Sequence, residues 1–181
     1  DVVWEDRERN YERVRAHAAR AREAGADLLV LPEMFATGFS MVPAVTAEDP
    51  DGPTAGFVRE LAREQGLAVV AGLVHHAAAP GKGRNVALAV DRDGNDLALY
   101  AKAHLFTHLD EHHHHEAGDG PVTFPLDGVE TACFICYDLR FPELFRAVAD
   151  RTALMLLIAS WPAARQRHFD IGQRRTIKPF A

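Results

Sequence analysis

The chain has 181 residues, 48% hydrophobic and 25% charged, which is ordinary for a globular fold with a sizeable core. A formal charge of -6 without a basic run argues against nucleic acid as a partner, and no apolar run approaches the roughly 18 residues of a membrane span. Two cysteines and no secretion-signal pattern at the start predict a reducing, cytoplasmic setting rather than a disulfide scaffold.

Glu5 to Ala24 is rich in Ala, Arg and Glu, with Tyr11, Val14, Ala18 and Ala21 on one stripe. That predicts an amphipathic helix stopped by Gly25. Asp27 to Leu31 follows as a strand covered on both faces, and helix then buried strand is an α/β signature. Pro32 and Glu33 end it. A carboxylate directly after a buried run is poorly solvated and suits a general base; the alternative is a surface glutamate at a strand end. Residues 35–39 form a loop whose Phe35 and Phe39 either wall a pocket or fill the core.

A second helix is predicted over Thr54 to Gln65, ended by Gly66, then a buried strand over Leu67 to Val74 with His75 and His76 half-exposed in a loop. Asn85 to Val90 and Asp96 to Tyr100 read as a hairpin about Asp91-Arg92-Asp93-Gly94. Lys102 follows that hairpin. It either snorkels outward or, pointing inward, stands where it would stabilise a thiolate and an oxyanion. Four adjacent histidines, His112 to His115, cannot all face one ion, and no other ligand cluster is spaced to complete a sphere, so weak metal binding is the alternative to an ordinary loop. Val122 to Leu126 and Val129 to Ile135 form a second hairpin about Asp127-Gly128. Phe141 to Ala149 is a short helix, Ala153 to Ala159 an apolar strand, and Ala163 to about Ile177 a final helix. Trp161, at that strand's end, is a pocket wall or a packing residue.

The most informative stretch is Thr131 to Glu143. An uncharged strand up to Ile135 gives way at Cys136 to Tyr137-Asp138-Leu139-Arg140, and Pro142 opens a helix. A cysteine on such a turn presents its sulfur at the sheet edge, as the nucleophile elbow does for serine; backbone N–H groups and the helix N-terminus would favour thiolate. The alternative is a small buried hydrophobe. Cys133, three residues earlier in the strand, faces the other way and is the better inert candidate. The C-x-x-C spacing lies along a strand rather than opening a helix, and no second pair completes a zinc site.

The segment I-C-Y-D-L-R-F-P-E, with L-L-V-L-P-E-M-F at 28–35 and Y-A-K-A-H-L-F at 100–106, resembles the motifs of the nitrilase superfamily, the carbon–nitrogen hydrolases. E-M-F-A-T-G-F-S-M and E-H-H-H-H-E-A-G are most similar to its omega-amidase branch, with His115 where the family pattern has a tyrosine. The resemblance implies an α-β-β-α sandwich in one domain over 1–181, partial at both ends, which pairs into a homodimer when full length. It implies Cys136 as nucleophile, Glu33 as base, Lys102 with the Tyr137 N–H at the oxyanion, and Glu111 positioning Lys102 or substrate. Phe35, Phe39, Tyr137, Trp161 and His115 would bind substrate, with Arg140 or Arg165 for a substrate carboxylate. The chemistry needs no metal or organic cofactor. The implied substrate is a small-molecule amide such as 2-oxoglutaramate. Alternatives are another amidase, an N-carbamoyl hydrolase or an acyltransferase of the same superfamily, or a non-catalytic remnant.

Overall fold

The computed structural model describes residues 2–161. Helix α1 (Arg7–Glu23) starts at Asp6, whose carboxylate accepts from the Arg9 N–H, and buries Tyr11, Val14 and Ala18. The first sheet holds β1 (Leu28–Val30), β2 (Ala68–His76), β3 (Gly83–Val90) and β4 (Asp96–Ala101) in that order. β1 runs parallel to β2, and the other pairs are antiparallel. Between β1 and β2 lie α2 (Pro43–Thr46) and α3 (Pro53–Gln65); α3 opens on a proline and closes on Gly66 at φ +60. The second sheet has the order β5 (Thr123–Leu126), β6 (Val129–Ile135), β7 (Leu154–Ile158), antiparallel then parallel. Asp127 and Gly128 both take positive φ, as the tight β5–β6 turn requires. Short helices α4 (Glu111–His114) and α5 (Pro142–Arg146) follow β4 and β6.

Period-two alternation sorts the core into two layers. Val69, Ala71 and Leu73 of β2 and Val86, Leu88 and Val90 of β3 join the core of α1 and α3. Their neighbours Ala68, Val70, Ala87 and Ala89 join Tyr100 and meet Phe124, Ala132 and Phe134 of the second sheet. Branched residues thus fill the helix side and mostly alanines the sheet–sheet side, which lets the sheets approach closely. Phe134 is wholly enclosed and lies 4.1 Å from the Phe145 ring of α5. Burying a side chain of that size stabilises the fold by roughly 1.5–3 kcal/mol. The result is an α/β sandwich with helices outside one sheet and a second sheet on its other face.

Several expectations are corrected. β1 is only three residues long and Val30 is 42% exposed, because β1 is an edge strand among the described residues. His75 is not a loop residue: it extends β2, pairs with Arg84 and is 6% exposed. The helix after the cysteine spans Pro142–Arg146 and then breaks into turns. The 163–177 helix and Arg165 lie outside the described residues. No described helix is long and apolar enough to cross a membrane.

Candidate active site

Three strands end where the chemistry collects. β1 runs into Pro32 and Glu33, β4 into Lys102, and β6 into Cys136. Glu33, Lys102 and Glu111 are fully buried. Lys102 Nζ donates to Glu33 Oε1 at 2.9 Å and to Glu111 Oε1 and Oε2 at 3.1 and 2.9 Å. The Ser160 N–H donates to Glu33 Oε2 at 3.0 Å, and the Phe106 N–H donates to Glu111 Oε2. Glu33 and Lys102 are both near enough to the Cys136 sulfur to act on its charge. Gly72 makes room for this arrangement. A Cβ there would stand 2.5 Å from Glu33 Cα and 2.7 Å from the Pro32 carbonyl, so only glycine lets β2 pass under the acid.

Cys136 itself sits at φ +48, the left-handed geometry of a sharp strand-to-turn elbow. Asp138 holds the elbow in place. Its Oδ2 accepts from the Ile135 N–H at 3.0 Å and the Tyr100 hydroxyl at 2.7 Å, and its Oδ1 from the His104 N–H at 2.9 Å. The elbow is thereby tied to the end of β4, next to Lys102. Arg140 is exposed and takes no part in this network.

Burial by itself would lower the Lys102 pKa, but the facing Glu33 and Glu111 more than offset it and hold the ammonium above its ordinary range. The thiol behaves otherwise. Burial pushes the Cys136 pKa up, and adjacent Glu33 pushes the same way, against the opposing pull of Lys102. The expectation of a resting thiolate is therefore corrected: desolvation and the acid outweigh the cation and the short turn after the cysteine. Cys133, enclosed in the sheet core, is pushed up to about 12 by burial.

A cavity of about 640 Å³ opens over the sulfur, lined by Trp4, Phe39, Phe106, Leu109, Cys136, Tyr137, Ser160 and Trp161 among others. Phe39, Tyr137 and Trp161 thus line it as expected, and the Phe39 ring stands 5.3 Å from Lys102 Nζ. Phe35 does not. It points into the helix-side core, with ring centroids 6.2 Å from Tyr11 and 6.1 Å from Phe57. His115 is likewise corrected: it is 1% exposed, bridges to Gly83 and packs against it rather than lining the cavity.

Asn85 was missed. Its amide donates to Glu33 Oε1 at 2.8 Å and to Glu111 Oε1 at 3.0 Å, so one NH₂ group spans both acids. Its signal in the sequence is an amide heading an otherwise apolar strand. Ser160 was passed over as well, because it contributes only its backbone N–H.

The carbon–nitrogen hydrolase family profile matches residues 1–174, and the chain belongs to that family, the nitrilase superfamily. Within it, the 2-oxoglutaramate amidase of Bacillus subtilis (strain 168) is 38% identical over 149 residues, covering 80% of this chain and 56% of that protein. Omega-amidase YafV of Escherichia coli (strain K12) is 34% identical over 170 residues, 93% of this chain and 63% of its own length. The chain is therefore similar to members of the omega-amidase branch and spans less than two thirds of these relatives. Among solved structures, XC1258 from Xanthomonas campestris, a CN-hydrolase superfamily protein with an arsenic adduct in its active site, superposes with TM-score 0.79 at 30% identity. The match covers 97% of this chain and 67% of that one. A variant of the amidase from Nesterenkonia sp. AN1, with acrylamide added to its active-site cysteine, gives TM-score 0.79 at 30% identity, over 87% of this chain and 63% of that one.

Proposed function

We propose that this chain carries out cysteine-dependent hydrolysis of a small amide through a thioester. The observation that carries the reading is that Cys136 lines the cavity beside Glu33, which also pairs with the Lys102 ammonium. Glu33 takes the thiol proton as sulfur attacks the carbonyl carbon. The negative charge then forming on oxygen is held by Lys102 and the Tyr137 N–H, donors of a kind worth about 3–4 kcal/mol in the barrier. Collapse breaks the C–N bond, and Glu33 returns its proton to the departing ammonia. Water then attacks the thioester, giving a proton to Glu33, and the released sulfur takes that proton back.

Glu33 Oε2 carries one hydrogen bond from the protein backbone, from Ser160, against two side-chain donors on Oε1, so Oε2 has room for the shuttled proton. Glu111 and Asn85 position Lys102 and Glu33 and touch no substrate. Phe39, Tyr137 and Trp161 form the substrate's walls. The names of the relatives and the small, largely apolar cavity beside Cys136 support a short keto-acid monoamide such as 2-oxoglutaramate. A cytoplasmic homodimer built on a single domain is part of the same reading.

The test is steady-state ammonia release from 2-oxoglutaramate, from N-carbamoyl amino acids and from nitriles, with the parent protein and C136S. The keto-amide should be preferred, and C136S should be inactive on all three. Equal turnover of all three removes the substrate assignment; undiminished activity of C136S removes the mechanism.

A further inference from the structure

We propose that Asp110, His112 and His113 form a binding site for one zinc ion on the outer side of the turn that carries Glu111. Among the described residues these three form a group whose ligand atoms all lie within 4.8 Å of one another. Two imidazoles and a carboxylate are a donor set suited to zinc and poorly suited to magnesium. Zinc bound at about 2.0–2.2 Å needs donors somewhat closer together than this, a gap exposed side chains close by rotation. The four histidines in a row do not share an ion; the turn selects two of them and adds the preceding acid. His115 is sequestered in the interior and His114 is outside the group.

The backbone is already shaped for it. Asp110 takes φ +57, and the His113 N–H donates to the Asp110 carbonyl at 2.9 Å, which brings both ends of the group to one side. Lys82 Nζ holds the His112 carbonyl at 3.1 Å. Between Asp110 and His112, Glu111 turns the opposite way, into its bonds with Lys102 and Asn85. An ion on the outer face therefore clamps the segment whose inner face supports the buried cluster, while Phe106 and Leu109 of the same turn line the cavity.

Binding does not depend on the catalytic reading, and the test keeps the two apart. C136S protein, which lacks the half-buried thiol as a competing ligand, is titrated calorimetrically with zinc chloride and with magnesium chloride. One zinc per chain is expected, with no heat from magnesium. In this background D110N and H112A/H113A should each weaken zinc at least tenfold, while H114A leaves it unchanged. Hydrogen exchange at residues 107–114 should slow with zinc in the C136S protein but not in the triple variant. A fall in affinity for H114A as large as for H112A/H113A would mean a nonspecific histidine run and overturn the site. Zinc binding without slowed exchange would overturn the clamp.

Discussion

Lys102→Met is the sharpest probe of the buried cluster. The ammonium makes close contacts to Glu33 Oε1 at 2.9 Å and to both oxygens of Glu111 at 3.1 and 2.9 Å, and none of the three side chains reaches solvent. Methionine matches the length and apolar stem of lysine, so packing is largely kept and the change isolates the charge. Two buried acids are then left without a cation, sharing the Asn85 amide and each keeping one backbone N–H, from Ser160 and Phe106. Removing one partner from a buried ion pair typically costs about 3–5 kcal/mol. On the proposed mechanism the same substitution also removes an oxyanion donor, a loss of about 3–4 kcal/mol in the barrier, or several hundredfold in kcat.

The two losses separate in a second variant. K102M/E111Q removes one of the stranded acids, so urea unfolding should show recovery of roughly 1–3 kcal/mol relative to K102M, while kcat stays down. The cycle is read from urea midpoints at constant slope and from ammonia release under saturating amide. Should K102M unfold within 1 kcal/mol of the parent, or should E111Q add to its loss rather than relieve it, the cluster is not the charge-compensated unit described here.

The other predictions concern single residues. Asn85→Ala should lower kcat about 10- to 100-fold, as expected for hydrogen bonds of about 1.5–3 kcal/mol to charged groups, with little change in KM because Asn85 does not line the cavity. Phe35→Ala should cost about 3–5 kcal/mol of stability in thermal unfolding and leave KM alone, whereas Phe39→Ala should raise KM roughly tenfold with a smaller stability loss. Cys133 is pushed from 9.0 to about 12, so its folded form binds a proton that the unfolded form has released. Its contribution to stability is full below about pH 9 and is lost as pH rises toward 12, at roughly 1 kcal/mol per pH unit. Unfolding followed from pH 8 to 10.5 should therefore fall less steeply for Cys133→Ala than for the parent.

The strand ends were legible because apolar runs stop abruptly at Glu33, before Lys102 and at Cys136, and a chain leaving a buried strand places its next side chain at the sheet edge. What the sequence could not settle was direction within a loop. Phe35 and Phe39 are four residues apart in one loop; the stacked rings of Tyr11 and Phe57, with centroids 4.2 Å apart, draw Phe35 into the helix-side core and leave Phe39 to the cavity. Asn85 was out of reach for a different reason. Its two acids lie 52 and 26 positions away, and only the fold makes one amide their common donor. The resting state of the thiol was misread because the sequence displays the cation and the turn but hides the desolvation that opposes them.

Five non-glycine residues among those described have positive φ, and three of them are Met34 beside Glu33, Asp110 beside Glu111, and Cys136 itself. A left-handed residue costs roughly 1–2 kcal/mol, so the site is held in a conformation that local preference opposes. The core layers supply the opposing force: Asp138 pins the elbow to Tyr100, and β2 at Gly72 fixes the backbone of Glu33. Acid and ammonium satisfy each other within this frame, and the thiol is the member left uncharged. On the proposed mechanism that is an advantage. A neutral sulfur next to a base keeps its proton until a carbonyl stands ready to accept negative charge beside Lys102, so the thiolate is generated only as it is consumed. Iodoacetamide should then label Cys136 slowly at neutral pH despite the open cavity and faster as pH rises, because alkylation offers no oxyanion for Lys102 to stabilise. Rapid labelling at pH 6, as from a stored thiolate, would refute this account.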